Sequence, residues 1–449
     1  MNWGWLILRI ALGLTILTTL FLSQRFWYRA IWRATGRWRT NWLRIASRTV
    51  YCFALVVIIL SLADGFRVGR HGHLLPSHAI LAMFSGLWFS SALFAFLAVE
   101  IVHVAERIWN WIRPAARTNV ALPGVQTASA IATAAPVERL ADPSRRYFFR
   151  TASVLAGATP FCSAVYGFAA ERLNYQVRRI EIPMANLPPA LDGMRIAQIS
   201  DIHMSGYMSR ADVRRAVDMT NDLGADLTVV TGDFITGSSD PIAECIEEVS
   251  RLHAPLGVWG CNGNHEIYAN AEELAQQLFA QNGMKLLRQE NAQLAFRGAQ
   301  FNLIGVDYQR ERNVNGHRTL MLSNMDALIR RDMPNILMSH NPNSFNRAAE
   351  LGIELSLAGH THGGQIQVEI LDHRLTPARF ISDYIAGLFE RPLLKPATEI
   401  LVRREPDIPS ANPESNASRL YVNRGLGTVG APVRLGVPPE ISLIVLRRA

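Results

Sequence analysis

The chain has 449 residues, which favours two or three structural units, and its net charge of +8 is unevenly spread. Residues 1–170 hold 17 arginines, no lysine and 5 acidic groups, whereas residues 171–449 carry a net charge of −4. The basic excess therefore lies between apolar runs and not on a globular domain, which excludes nucleic acid as the expected partner. Cys52, Cys162, Cys245 and Cys261 show no C-x-x-C spacing, so neither a zinc knuckle nor a disulfide framework is expected.

In chain order, Trp3 to Leu22 is long and apolar enough to span a bilayer, with Arg9 near one end able to snorkel. A shorter run covers about 50–63 and a full-length one about 80–103, so residues 1–110 read as a transmembrane region of three helices. Between the first two runs, Arg25, Arg29, Arg33, Arg37, Arg39, Arg44 and Arg48 interleave with Trp27, Trp32, Trp38 and Trp42. Retained arginine and interfacial tryptophan place that linker in the cytoplasm, and the loop holding only Arg67 and Arg70 outside it. Residues 111–143, dominated by Ala, Thr, Pro and Val, read as a flexible linker.

Residues 144–172 open with Ser144-Arg145-Arg146-Tyr147-Phe148-Phe149-Arg150 and continue as the modestly apolar stretch to Ala170. Two readings fit, a twin-arginine-like export signal or a fourth transmembrane helix flanked by arginine. Both put everything that follows outside the cytoplasm, so the expected protein is a multi-pass cell-membrane protein with its soluble domain extracytoplasmic.

Residues 173–449 have the texture of a soluble α/β domain. Apolar runs at 194–200, 227–231, 258–261, 301–305, 336–338 and 353–358 each end in polar or glycine residues, with helical periodicity over 209–223, 241–251 and 271–282 between them. A sheet covered by helices is expected, with ligands at the carboxyl ends of the strands. Strand ends are followed in turn by Asp201-Ile202-His203, Gly232-Asp233, Gly263-Asn264-His265-Glu266, His340-Asn341-Pro342 and Gly359-His360-Thr361-His362. Taken singly, each is an ordinary turn. As a set supplying only Asp, Asn and His, they suit a divalent metal such as Mn, Fe, Co or Zn.

The order D-x-H, G-D, G-N-H-E, H, G-H-x-H resembles the calcineurin-like metallophosphoesterase superfamily. The longer run Gly359-His360-Thr361-His362-Gly363-Gly364-Gln365-Ile366 and the ending from Asn423-Arg424-Gly425-Leu426-Gly427 to Pro438-Pro439-Glu440-Ile441 resemble its bacterial membrane-associated branch. The resemblance implies a metallophosphoesterase-type β-sandwich flanked by helices, and a centre of two divalent metals that acidify a water and clamp the phosphoryl oxygens. It implies Asp201, His203 and His362 on one metal, Asn264, His340 and His360 on the other, and Asp233 between them. His265 would serve the phosphate ester as a catalytic hydrogen-bond or proton donor. Phe234-Ile235-Thr236-Gly237 departs from the acidic-arginine pair of the phosphoprotein phosphatases, which argues against that activity and leaves the partner of His265 open.

Beside Asn264, Arg424 and Arg434 are candidates to bind an anionic substrate, though each could equally form a salt bridge. The apolar stripe Phe380 to Phe389 is either core or a lip admitting a lipid tail, and the Pro-, Asn- and Ser-rich stretch after it to Ser418 reads as a surface excursion. The expected function is hydrolysis of a phosphodiester, phosphomonoester or pyrophosphate by a membrane-anchored enzyme, with phospholipid or a nucleotide-linked lipid such as UDP-diacylglucosamine as substrate. The competing reading is a non-catalytic membrane protein with a structural or sensory metal site.

Overall fold

A computed structural model describes residues 3–71, 76–112, 143–184, 186–314, 317–370, 373–380, 382–392, 402–404 and 417–449. Most of the linker expected at 111–143 and of the excursion before Ser418 lies outside the described residues. The chain divides into two units, Met1–Ile58 with Ser85–Ala164, and Ile59–Phe84 with Val165–Ala449.

The first unit is helical, built from parts of α1 (Trp3–Gly36), α2 (Asn41–His71), α3 (Pro76–Ile112) and α4 (Pro143–Tyr166). The arginine- and tryptophan-rich linker is not a loop. With no Pro or Gly between Leu14 and Thr35, α1 runs on to Gly36, and α2 begins only a few residues later. Ser23 Oγ and Trp27 Nε1 both donate to the Ala92 carbonyl, at 3.0 and 2.8 Å, joining α1 to α3. The Trp27 ring meets Phe161 of α4 edge-on at 5.5 Å. α4 comes close to both partners at Gly157, where a Cβ would stand at ordinary contact distance, 3.4 Å from Val99 and 3.6 Å from Trp27. Among the described residues, Phe84–Ile112 and Ser144–Glu171 are long and apolar enough to cross a membrane. Phe21, Phe53, Ile101 and Leu155 point outward, each more than 60% exposed, a surface that suits lipid better than water.

The second unit is a two-sheet sandwich. In chain order its strands are β1 (Gln176–Met184), β2 (Arg195–Ile199), β3 (Leu227–Thr231), β4 (Val258–Cys261), β5 (Lys285–Leu286), β6 (Glu290–Phe296), β7 (Ala299–Gly305), β8 (Arg312–Val314), β9 (His317–Thr319), β10 (Asn335–Met338), β11 (Leu355–Ala358), β12 (Val368–Ile370), β13 (His373–Leu375), β14 (Gly387–Pro392), β15 (Val402–Arg404), β16 (Ala417–Val422) and β17 (Glu440–Arg448). One sheet has the order β1-β17-β2-β3-β4-β5 and the other β15-β14-β16-β11-β10-β7-β6, with β8-β9 and β12-β13 as separate ribbons. From β2 to β5 the first sheet is parallel, as are β7, β10, β11 and β16 in the second.

Alternation along the strands sorts the core into layers. Ile196, Leu227, Val229 and Trp259 face Leu303, Ile336, Met338, Leu355 and Leu357 between the sheets. Ile199, Val230 and Val258 turn the other way, under α5 (Arg210–Asn221), α6 (Ile242–Val249) and α8 (Glu272–Gln281). Burying each such side chain contributes about 1.5–3 kcal/mol. Because both faces of these strands are covered, they read as unbroken apolar runs. The stripe at 380–389 resolves as core: Tyr384, Ile385, Leu388 and Phe389 are all buried, the last two on strand β14. Its Ile381 lies outside the described residues.

Candidate metal centre

Seven candidate ligands follow the carboxyl ends of five parallel strands. Asp201 and His203 come after β2, Asp233 after β3, Asn264 after β4, His340 after β10, and His360 and His362 after β11. Five of them, Asp201, His203, Asp233, His360 and His362, hold left-handed backbone, with φ from 48° to 75°. Each such non-glycine conformation costs about 1–3 kcal/mol and persists where the surroundings enforce it. The intervening glycines have packing reasons. A Cβ at Gly359 would lie 2.0 Å from Ser200 Oγ and 2.2 Å from Asp201 Oδ2, and one at Gly263 would lie 2.1 Å from Asp233 Oδ1.

The side chains converge into overlapping clusters, Asp201 with His203 and His362, and Asp233 with His340 and His360; Asp233 also groups with His203 and His265. Asp233 Oδ2 stands 3.5 Å from His203 Nε2 and 3.0 Å from His340 Nε2. His362 Nε2 lies 3.3 Å from Asp201 Oδ1 and 3.1 Å from His203 Nε2. The two imidazoles one residue apart therefore serve different clusters, as left-handed backbone at both positions separates side chains that an extended strand would leave on one side.

Hydrogen bonding at the far side of each ring fixes what the near side offers. His203 Nδ1 faces the Ile235 carbonyl at 3.0 Å, His340 Nδ1 the Thr231 carbonyl at 2.6 Å, and His362 Nδ1 the Gly427 carbonyl at 3.3 Å. A carbonyl only accepts, so each Nδ1 carries the proton and, on a neutral ring, each Nε2 presents a lone pair. Two such lone pairs face each other across 3.1 Å between His203 and His362, an arrangement a cation between them would relieve. Asn264 Oδ1 is buried without a hydrogen-bond partner, again as a metal-facing atom would be. The donor set fits a pair of divalent ions.

Burial disfavours the charged form of His340, but Asp233 and Asp201 beside it outweigh that cost and raise it to about 10, so without a cation this ring is itself the positive charge between the carboxylates. Burial pushes His203 down to about 3 and His360 down to about 4, keeping both rings neutral and able to donate a lone pair. Burial raises the Asp201 carboxyl to about 6. Burial works the same way on Asp233, but His340 and His203 beside it outweigh that cost and hold it well below the usual carboxylate range.

His265 is half-buried at the mouth. Its backbone N–H donates to Asp233 Oδ1 at 2.9 Å, and its Nδ1 donates to the Thr236 carbonyl at 2.6 Å, which leaves Nε2 for a ligand. The orienting partner is thus a carbonyl of the loop after Asp233. Glu266, adjacent in sequence, does something else: its carboxylate accepts the backbone N–H groups of Asp233, Phe234 and Gly263, each at 2.8 Å, and so holds two ligand-bearing turns together. Burial raises this carboxyl to about 7. Tyr308, whose hydroxyl lies 3.4 Å from His360 Nε2, also borders the site. Glu266 stands in the sequence inside the G-N-H-E motif with no role assigned to it, and Tyr308 carries no signal there because its contact with His360 is distant in the chain.

The two arginines divide. Arg434 is fully buried, and its guanidinium donates to the carbonyls of Arg424, Gly425, Gly427 and Val437, which corrects the expectation that it contacts substrate. It ties together the turn that carries Gly427, the acceptor for His362. Arg424 is ion-paired with Glu440 at 3.4 Å, and its side chain packs beneath Gly363 next to His362.

Comparison with known proteins places this geometry. Residues 194–364 match the family model for the calcineurin-like phosphoesterases. A transmembrane protein with metallophosphoesterase domain from Danio rerio is 28% identical over 66% of this chain and 63% of its own length. An uncharacterized metallophosphoesterase, YkuE of Bacillus subtilis, is 26% identical over 68% of this chain and 98% of its own. UDP-2,3-diacylglucosamine pyrophosphatase LpxG of Chlamydia trachomatis is 26% identical over 58% of this chain and 86% of its own. The chain thus spans less than two thirds of the first of these relatives. With its α/β sandwich, its five ligand-bearing turns and these relatives, the C-terminal domain of this chain belongs to the calcineurin-like metallophosphoesterase superfamily, a family of hydrolases.

Proposed function

We propose that this chain is a membrane-anchored phosphoesterase in which Asp201, His203 and His362 hold one divalent ion, Asn264, His340 and His360 a second, and Asp233 both. The observation that carries this reading is the sharing of Asp233 between two clusters whose imidazole nitrogens point inward. Ions held there would supply Lewis acidity and would lower the pKa of a water so that it could serve as the nucleophile toward phosphorus. The protein's part is positioning. Carbonyls behind three rings fix their tautomers, Glu266 holds the turns, and His265 presents Nε2 to hydrogen-bond a phosphoryl oxygen or pass a proton to the leaving group.

A lipid-linked phosphate, either phospholipid or a nucleotide-linked lipid of the UDP-diacylglucosamine kind, is the proposed substrate class. The apolar helical unit supports it, and so does the relative named for a pyrophosphatase acting on that nucleotide lipid. The proposed orientation is multi-pass with the domain outside the cytoplasm, which would deny the site a cytoplasmic nucleotide lipid and favour phospholipid. The test is the purified full chain loaded with Mn and assayed against a chromogenic phosphodiester, a phosphomonoester, phospholipid in mixed micelles and UDP-diacylglucosamine. A reporter fused after Ala449 reads the orientation in parallel. Turnover of at least one of these is expected; none, with two metals per chain measured, would leave the centre structural or sensory.

A further inference from the structure

A second site lies in the helical unit, and it stands on that unit alone, independent of the phosphoesterase reading. Three helices, α1, α3 and α4, enclose an open cavity of about 1000 Å³. Its polar wall carries Arg33 and Arg37 from the end of α1 and Arg146 and Arg150 from the first turns of α4, against a single carboxylate, Glu106. Arg146 and Arg150 are four apart and so share a helix face, while Arg145 of the same motif is not part of the wall. Among the described residues, none of the four arginines is ion-paired, and the Arg33 Nε bond goes to the Arg29 carbonyl one turn back. Apart from His103 and Ser153 the rest of the wall is apolar, with Trp27, Phe149 and Phe161 prominent.

Four exposed guanidinium groups around one concavity with one acid give it a positive potential that attracts an anion. The cavity lies where the candidate spans end: Glu106 is near the close of Phe84–Ile112 and Arg146 near the opening of Ser144–Glu171. Trp109 and Trp111 are exposed at 45% and 83% at that end of α3, the position indoles take at the headgroup layer. A free phosphate would meet the arginines and leave the aromatic wall bare, whereas an amphiphile satisfies both. We propose that this cavity binds one acidic phospholipid, its phosphate held by Arg33, Arg37, Arg146 and Arg150 and its acyl chains along the aromatic wall.

The experiment is native mass spectrometry of the full chain released from nanodiscs of mixed phosphatidylglycerol and phosphatidylcholine. The wild type should retain phosphatidylglycerol in clear preference, and the R146Q/R150Q double variant should retain it about 30-fold less. The R146K/R150K variant should keep most of the preference, which separates lost charge from lost folding. Should the glutamine pair fail to fold, R37Q at the helix end should weaken retention by about fivefold. Equal retention of both lipids by the wild type, undiminished phosphatidylglycerol on a folded glutamine variant, or its displacement by millimolar inorganic phosphate would each overturn the proposal.

Discussion

The two sheets of the sandwich furnish different halves of the metal centre. Turns of the β1-to-β5 sheet supply Asp201, Asp233 and Asn264 together with His203 and His265, so that sheet carries all the negative charge. The β6-to-β16 sheet supplies imidazoles alone, His340, His360 and His362. In the proposed centre one half would provide the charge that attracts cations, and the other the imidazole donors that shape where they sit. Cross-ties keep the halves in step. The His360 N–H donates to both Asp201 oxygens at 2.9 and 3.1 Å, and Gln198 Nε2 reaches from β2 to the Ala358 carbonyl at 3.0 Å.

The sharpest way to break this division is Asp233→Asn, which removes the charge shared by both clusters. Turnover should fall by several kcal/mol of transition-state stabilisation, roughly 10³-fold or more, and metal analysis should show both ions depleted. Retained activity with full metal would mean the charged half is not what holds the ions. His265→Ala should do less and do it differently, lowering turnover about 10²-fold while metal content per chain stays unchanged. Loss of an ion in that variant would move His265 from the substrate side to the ligand set. Glu266→Gln should have the smallest effect. The amide keeps one acceptor oxygen but sets an N–H₂ against backbone donors, so metal affinity should drop about 10-fold in a competition titration, with turnover at saturating Mn nearly preserved. A turnover defect that Mn cannot rescue would show that Glu266 does more than hold the turns.

How much of this was legible depended on which half of each interaction the chain writes locally. The interior strands announced themselves because β3 and β4 are covered on both faces and read as short apolar runs ending at a ligand. The edge strands did not. β1, with the charged stretch Arg178-Arg179-Ile180-Glu181, and β6, half-exposed along its length, alternate too weakly to stand out from loop. The candidate ligands were legible as residue types at strand ends, whereas the left-handed backbone that splits His360 from His362 was hinted at only by the glycines around them. Arg434 shows the limit most clearly. An arginine beside a motif reads equally as anion clamp or as scaffold, and only its burial among four carbonyls separates the two. In the helical unit, the extent of α1 was underestimated because hydropathy ends where arginine begins, while helix propensity does not.

Strand β17 lies between β1 and β2, parallel to the first and antiparallel to the second. The segment Glu440–Arg448 is thus the keystone of its sheet although it emerges from the ribosome after every other strand. Until it arrives, β1 has no partner and β2 has one open edge, so this sheet cannot close before Glu440–Arg448 is made. It also means that truncating even this one strand should trap the chain short of its native state, with Asp201 and His203, at the end of β2, never brought into place.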